Sequence, residues 1–277
     1  MTTRTDDERR NFVRYTRTRR WPLLERFPVD DRLHTELLAQ MLACEPATVR
    51  ALRQSMADDV RTTATRMMAG LRYRTAVRRL PFGPDDRIVA VGDSVTADRL
   101  GWFELLSASV RLAGTAPEAM LNLGLSGDTT ADVLERFDLL EAARPSRVLV
   151  MLGTNDARFH GRTSEHRMVT PAETERNLRA LIGLITHDLD ASVTMLTPPA
   201  IDQRRAAAFF ADVPLGWHAS AVAEIAEVVR KVAPTALDLH SATQRYGLDQ
   251  FLEPDGVHPT ATGQCFIVTS LIDHLGS

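Results

Sequence analysis

The feature that most constrains this chain begins at residue 87, where short apolar runs alternate with stretches whose apolar residues recur at helical spacing. The apolar runs are residues 88–91, 119–123, 148–152, 193–196 and 236–239. The helical candidates are residues 98–112, 129–141, 171–188, 215–232 and 261–275. This alternation predicts an α/β protein whose parallel sheet is covered by helices on both faces. Burial on both faces explains why the runs are almost continuously apolar.

The first 80 residues have a different pattern, which is helical and without a strand signal. An apolar stripe at helical spacing follows Asp30 and Asp31, two acidic residues of the kind that begin helices. Its members are Leu33, Leu37, Leu38, Met41 and Leu42. The turn-forming segment 81–86 (PFGPDD) then interrupts the chain. We therefore expect a helical N-terminal extension over residues 1–80 and an α/β domain over residues 87–277.

Charge is divided unevenly between these two parts. Residues 1–80 hold 17 arginines and 10 acidic residues, a net charge of +7, whereas the whole chain carries −3 and the remainder therefore −10. A basic excess can attract nucleic acid. Interleaved acidic residues argue against that partner here, and we expect the extension to dock on the acidic remainder. Association of two copies through the N-terminal helices is the other way to cover the apolar stripe.

Four loops follow predicted strands at the edge where open parallel sheets bind ligands. They are residues 92–96 (GDSVT), 124–129 (GLSGDT), 153–156 (GTND) and 255–259 (DGVHP). Together they supply a hydroxyl, an imidazole, a carboxylate and several hydrogen-bond donors. These are the groups that serine-based acyl transfer requires: a nucleophile, a base, a group that orients the base, and donors for the oxyanion.

Within these loops, each chemical role has a candidate. Ser94 is the candidate nucleophile, His258 the base, and Asp255 the carboxylate that orients the imidazole. The backbone N–H groups of Ser94 and Gly127 and the side-chain amide of Asn155 are the candidate oxyanion donors. Taken alone, Ser94 would more often be a helix cap, Asp255 a turn residue and His258 an ordinary histidine. The four loops in order favour the catalytic interpretation.

The four segments GDS, LSGDT, GTND and DGVHP resemble the conserved blocks of the SGNH (GDSL-like) hydrolase superfamily, in the same order, across residues 87–277. The resemblance implies a flavodoxin-like three-layer fold with a five-stranded sheet in the order 2-1-3-4-5. It also implies the same triad, Ser94, Asp255 and His258, and the same oxyanion donors. The first block reads GDSV where many members have GDSL, a difference that affects packing rather than chemistry. Residues 1–80 lie outside the resemblance.

The expected function is therefore hydrolysis of a carboxylic ester in a small-molecule substrate through an acyl-serine intermediate. A thioesterase, an acyltransferase or a carbohydrate O-deacetylase could use the same triad, and a binding module driven by the helical N-terminus is the non-enzymatic alternative. Ser126 is a weaker candidate nucleophile because it lacks the strand-Gly-Asp setting of Ser94. No Gly-x-Ser-x-Gly elbow, His-Glu-x-x-His motif or P-loop occurs in the sequence.

Less specific signals concern the substrate and the cell compartment. Phe209, Phe210 and Arg158 lie in loops after strand ends and are candidate substrate-binding residues. We expect no metal and no organic cofactor. No apolar run reaches the ~18 residues of a membrane span. The basic N-terminus lacks the apolar segment of a signal peptide, which predicts a cytoplasmic protein.

Overall fold

The computed structural model of the protein describes residues 5–27, 29–160 and 166–276. Its centre is a parallel sheet of four strands in the order β2-β1-β3-β5. The strands of this sheet are β1 (Arg87–Gly92), β2 (Ala119–Asn122), β3 (Arg147–Met151) and β5 (Ser192–Leu196). Two further strands of two residues each, β4 (Phe159–His160) and β6 (Leu215–Gly216), form a small antiparallel pair. The predicted α/β class is confirmed.

The fifth predicted strand, residues 236–239, is reduced to a single parallel bridge between Leu196 and Leu237. Its backbone bonds are Leu237 N–H to the Met195 carbonyl (2.9 Å) and Thr197 N–H to the Leu237 carbonyl (3.0 Å). Asp238 caps the next helix, which begins at Leu239, so the chain leaves the sheet after one paired residue. The bridge lies beside β5, which is the edge that the predicted order 2-1-3-4-5 gives to the fifth strand.

Helices cover both faces of the sheet. They are α1 (Asp6–Tyr15), α2 (Pro22–Glu25), α3 (Asp31–Met41), α4 (Pro46–Ala69), α5 (Leu71–Arg78), α6 (Ser94–Ala97), α7 (Trp102–Ala113), α8 (Thr130–Glu135), α9 (Phe137–Ala142), α10 (Pro171–Gly183), α11 (Gln203–Phe209), α12 (Ala219–Val232), α13 (Leu239–Tyr246), α14 (Leu248–Phe251) and α15 (Ala261–Leu275). A 3₁₀ turn (Thr18–Arg20) follows α1, and a π-helical turn (Leu184–Asp188) extends α10.

Alternate residues of the strands face two different hydrophobic clusters. Ile88 and Ala90 of β1 belong to a cluster that includes α7 and α15, whereas Val89 and Val91 belong to one that includes α8, α10 and α12. This period of two is the geometry of a strand buried on both faces. The result is the three-layer α/β/α arrangement expected from the sequence.

The N-terminal helices pack against each other and against the α/β part of the chain. Leu38 and Leu42 of the predicted stripe are buried in a cluster that includes Val13, whereas Leu33 and Met41 are exposed. Residues from α4 and α5, including Met68 and Val77, belong to the cluster that covers one face of the sheet. Among the described residues, five ion pairs join the part before residue 81 to later residues: Arg14–Asp98, Arg14–Glu253, Arg17–Glu104, Arg26–Asp138 and Arg72–Asp273.

Candidate active site

The structure brings Ser94, His258 and Asp255 into one hydrogen-bonded chain. Ser94 Oγ lies 2.9 Å from His258 Nε2, and His258 Nδ1 lies 2.6 Å from Asp255 Oδ2. With the Nδ1 proton donated to the carboxylate, Nε2 is left as an acceptor for the serine hydroxyl. This is the arrangement in which an imidazole can take the proton of a serine that attacks a carbonyl carbon.

Ser94 owes its position to a short helix at the end of β1. Asp93 caps this helix by accepting a hydrogen bond from the Val95 N–H (3.0 Å), and it is almost completely buried. Burial raises the pKa of Asp93 to about 6, against the hydrogen bond from Val95, which favours the charged form. Gly92 precedes it without a side chain, since a Cβ there would lie 2.2 Å from Thr96 Oγ1 and 2.6 Å from the Met151 carbonyl oxygen. The tight exit from β1 into α6 therefore requires glycine.

The loop that carries His258 is fixed by the carboxylate of Asp255. Its Oδ1 accepts hydrogen bonds from the backbone N–H groups of Val257 and His258, both at 2.9 Å, while Oδ2 holds the imidazole. Burial pushes the pKa of Asp255 upward, but the hydrogen bond and charge of His258 and the two backbone donors outweigh it and hold the pKa below its usual value. Gly256 has φ +70°, a conformation that favours glycine in this turn. Asp255 is therefore held as an acceptor for the imidazole.

The two loops with the candidate oxyanion donors contact each other. The Asn155 Nδ2 donates to the carbonyl of Asp128 at 3.1 Å, directly after Gly127 in the chain. Gly127 has φ +95°, and a Cβ there would face open space. The loop is also tied to the nucleophile strand, because the Leu125 N–H donates to the Gly92 carbonyl at 3.0 Å. One amide hydrogen of Asn155 is thus used to hold the loop, and the other has no partner in the part of the chain that the structure describes.

Three other polar residues of the four loops, Asp156, Asp128 and Ser126, have structural partners. The buried carboxylate of Asp156 accepts from the Thr130 N–H and hydroxyl and from the Thr174 hydroxyl (3.1 Å). Asp128 is paired with buried Arg136, whose Nε donates to it at 2.7 Å. Ser126 donates its hydroxyl to the carbonyl of Tyr15 at 2.6 Å. This contact helps to hold the N-terminal segment. It is not the hydrogen bond to a base that a nucleophilic serine requires.

Two residues of α1 lie at this site, and no sequence pattern indicates either of them. The ring of Tyr15 packs against the imidazole of His258, with centroids 4.6 Å apart, and its buried hydroxyl has no hydrogen-bond partner within the described part of the chain. Arg14 donates to both carboxylate oxygens of Asp98 (2.8 and 2.7 Å), to Glu253 (3.1 Å) and to the Pro259 carbonyl (3.4 Å). No local signal could reveal these contacts, because the partners are more than 80 positions away.

The three candidate substrate-binding residues occupy different settings. Phe209 is 59% exposed at the end of α11, and its ring contacts that of Phe210 with centroids 5.0 Å apart. Phe210 packs on a small cluster that contains Val257, next to His258 in the chain. Arg158 lies beside Asn155, 3.5 Å from its Oδ1, and its Nε is buried without a hydrogen-bond partner among the described residues. Arg158 is thus next to a candidate oxyanion residue, Phe210 packs on the cluster that contains Val257, and Phe209 is largely exposed.

Within residues 5–27, 29–160 and 166–276, no group of three or more His, Cys, Asp or Glu side chains has the arrangement of a metal site. In the same part of the chain, no helix combines the length and the apolar character needed to cross a membrane.

Comparisons with known proteins identify the family and the fold of this chain. Residues 90–264, more than half of the chain, match the model of the GDSL-like Lipase/Acylhydrolase family. LAE5, described as an alpha/beta hydrolase enzyme from the metagenome of Lake Arreo in Spain, is a similar solved structure with 24% identity and a TM-score of 0.57, covering 70% of this chain and 97% of its own. The acetylxylan esterase Axe2 from Geobacillus stearothermophilus has 22% identity and a TM-score of 0.55, covering 71% and 96%.

A third similar structure, the acetyl xylan esterase AlAXEase, has 20% identity and a TM-score of 0.56, covering 67% of this chain and 98% of its own. At these identities the likeness shows the fold. No curated protein matched the sequence significantly. The family model carries the assignment: the chain belongs to the GDSL-like lipase/acylhydrolase family and is a hydrolase that cleaves ester bonds.

Proposed function

We propose that the protein hydrolyses carboxylic esters of small molecules through an acyl-Ser94 intermediate. The observation that carries this proposal is the continuous hydrogen-bonded chain from Ser94 Oγ through the imidazole of His258 to the carboxylate of Asp255. The hydroxyl already contacts the imidazole that would take its proton, and the imidazole already contacts the carboxylate that orients it, before substrate binds. Arg14 and Tyr15 add support, because they hold and cover the same loops from a different part of the chain.

In the acylation step, the Ser94 oxygen forms a bond to the ester carbonyl carbon while its proton passes to His258 Nε2. The carbonyl oxygen becomes an oxyanion, which the N–H groups of Ser94 and Gly127 and the free amide hydrogen of Asn155 stabilise. Collapse of this intermediate breaks the bond to the alcohol oxygen, which takes the proton from Nε2. Water then attacks the acyl-serine by the same route, and the acid is released with Ser94 restored.

Asp255 has a supporting role in both steps. Its carboxylate holds the Nδ1 proton and stabilises the imidazolium that forms when Nε2 takes the serine proton. The low pKa of Asp255, which the hydrogen bond and charge of His258 maintain against burial, keeps the carboxylate ionised at neutral pH. Neutral pH is the range in which His258 must act as a base.

Phe210 and Arg158 are the proposed substrate contacts, with Phe209 at the outer rim. Phe210 packs on the cluster that includes Val257 of the His258 loop, and this apolar surface would receive an acyl or alcohol group. Arg158 approaches Asn155, and its buried Nε–H has no partner among the described residues, so a polar group of the substrate could accept from it. Phe210→Ala should therefore change the order of preference among ester chain lengths.

The decisive experiment is active-site labelling with a fluorophosphonate, combined with a substrate panel. Wild-type protein should be labelled, and Ser94→Ala should lose both labelling and ester cleavage while it keeps the wild-type circular dichroism spectrum. Ser126→Ala is the matched control and should still be labelled. Labelling that survives in Ser94→Ala would refute the assignment.

The substrate panel separates the alternatives that share this triad. It contains aryl esters of increasing chain length, thioesters and acetylated xylo-oligosaccharides, the last because two similar structures are named as acetylxylan esterases. Alcohol and amine acceptors are added to detect acyl transfer. Turnover of thioesters alone would identify a thioesterase, and acceptor-dependent product an acyltransferase.

A further inference from the structure

A cavity of about 340 Å³ lies between the segment that follows α1 and the helices α4 and α7. Five arginines line it: Arg17, Arg53, Arg61, Arg99 and Arg111. Glu104 is the single acidic residue of the lining. None of Ser94, Asp255 and His258 is part of the lining, so the cavity is separate from the reacting groups.

The carboxylates around the cavity do not balance its arginines. Arg17 donates to Glu104 at 2.7 Å, and that carboxylate also accepts from Asn122. Arg53 and Arg61 reach Asp31 and Asp58 only at 3.4 and 3.5 Å, and both carboxylates are largely exposed. These contacts leave two arginines, 99 and 111, without a carboxylate.

Among the residues that the structure describes, Arg99 and Arg111 donate only to neutral groups. Arg99 binds the carbonyls of Val13 (2.9 Å) and Thr16 (3.2 Å), and Arg111 binds the hydroxyl of Ser107 (3.1 Å). Neither forms an ion pair within residues 5–27, 29–160 and 166–276. Carbonyl and hydroxyl oxygens satisfy hydrogen bonds but do not neutralise a guanidinium charge.

Burial and mutual repulsion disfavour the charged form of Arg53 and Arg99. Burial lowers the pKa of Arg99 to about 9, and repulsion from Arg17 and Arg53 adds to the effect. The Nε of Arg53 is buried and has no hydrogen-bond partner among the residues described. Buried cations of this kind are normally paired, because an unpaired charge loses its hydration without compensation. An anion in the cavity would supply both the missing charge and an acceptor.

We propose that this cavity binds a small anionic ligand, a phosphate or carboxylate group on a short apolar body. The guanidinium groups provide the planar donors that bind either oxyanion. Met56 and Val60 form an apolar wall, and Leu112, 48% exposed, lies at the rim. The volume is at the lower end of the range of about 300–1,000 Å³ for small-molecule sites, which sets the size of the ligand.

Isothermal titration calorimetry on the full chain tests the proposal with four probes. Hexyl phosphate and hexanoate carry the two head groups on the same apolar body, inorganic phosphate has no apolar body, and hexanol has no charge. We expect one or both of the charged hexyl probes to bind, inorganic phosphate to bind more weakly, and hexanol not to bind. The tighter of the two charged probes identifies the head group.

Arg111→Gln and Arg53→Gln are the test variants, and Arg50→Gln, an exposed arginine on α4 outside the cavity, is the matched control. Loss of one charge-assisted hydrogen bond should weaken binding by about tenfold or more. The control should bind as wild type. Arg111 is exposed, so its replacement leaves the fold intact even if Arg53→Gln does not.

The binding readout does not depend on catalysis, so it stands or falls separately from the proposed ester hydrolysis. Failure of both charged probes to bind the wild type would overturn the proposal. Equal affinity in the wild type, Arg111→Gln and Arg53→Gln would also overturn it, because the anion would then be bound elsewhere. Binding of hexanol as tight as that of hexanoate would show a purely apolar pocket and reject the role of the arginines.

Discussion

Replacement of Arg14 by methionine tests how strongly α1 is fixed to the catalytic loops. Arg14 forms a bidentate ion pair with Asp98. The carboxylate of Asp98 has no solvent exposure, and the Arg14 side chain is 12% exposed. Methionine fills similar space without charge. Asp98 would keep its hydrogen bonds from the Leu100 N–H (2.8 Å) and the Gln264 Nε2 (3.0 Å), but its carboxylate would have no ion pair among the described residues.

The expected loss of stability follows from this burial. Removing one partner of a buried ion pair leaves an uncompensated charge and costs about 3–5 kcal/mol. For a protein of this size, each kcal/mol lowers the melting temperature by about 2–4 °C. Arg14→Met should therefore melt about 6–20 °C below wild type. Urea unfolding followed by tryptophan fluorescence measures the free energy directly.

Arg26 offers a matched control in the same N-terminal segment. It also forms a two-bond pair with an aspartate, Asp138, at 2.7 and 2.8 Å, but the two side chains are 43% and 50% exposed. Exposed pairs contribute little because water and salt screen them. Arg26→Met should therefore have the same melting temperature as the wild type. Equal destabilisation by the two substitutions would refute the argument that burial sets the energy of the Arg14 pair.

Three further predictions concern the site. Asn155→Ala should lower kcat about 100- to 1,000-fold with a small change in KM, since an oxyanion donor contributes roughly 2.7–4 kcal/mol; an effect on KM alone would contradict the oxyanion role. Tyr15→Phe should stabilise the protein by about 1 kcal/mol in urea unfolding, because it removes a buried hydroxyl that has no partner in the described chain. Tyr15→Leu should lower kcat about tenfold in steady-state kinetics, because the ring no longer holds His258. Burial raises the pKa of Asp93 to about 6, so the folded wild type binds a proton more tightly than the unfolded chain and loses stability as pH rises from about 4 to 7. The free energy of unfolding of Asp93→Asn minus that of wild type should therefore rise by on the order of 3 kcal/mol over this range. A difference that does not change with pH would contradict the raised pKa.

The parts of the structure that the sequence predicts are those encoded by local pattern and chain order. The strands of the parallel sheet follow from apolar runs, and the four loops follow from the rule that sites lie at the carboxyl ends of strands. The contact between Ser94 and His258, 164 positions apart, was predicted from four motifs taken together and from the family resemblance. Their hydrogen bond of 2.9 Å agrees with that prediction, although the catalytic roles stay proposals.

The parts that the sequence does not predict depend on contacts without a local pattern. The fifth strand looked like the others over residues 236–239, but Asp238 starts a helix by accepting from the Ser241 N–H at 3.1 Å, and capping prevailed over strand propensity. The positions of Arg14 and Tyr15 were also hidden, since a helical pattern indicates which face is apolar but not which loop it meets. The basic excess of residues 1–80 predicts attraction to the acidic remainder, but net charge does not indicate which residues form the ion pairs.

The need for these distant contacts follows from the length of the nucleophile helix. A helix of four residues such as α6 cannot be stable by itself, because nucleation costs more than so few hydrogen bonds return. Its first turn is held by Asp93, and its last carbonyl, that of Ala97, accepts from Arg17 Nε. Asp98, the next residue, is bound by Arg14 from α1 and by Gln264 from α15. The segment that contains Arg14 and Arg17 lies outside the region that matches the family model, residues 90–264. The geometry of Ser94 in this chain therefore depends on a part of the sequence that the family motifs do not include, and a variant that lacks residues 1–20 should lose ester cleavage more steeply than it loses secondary structure.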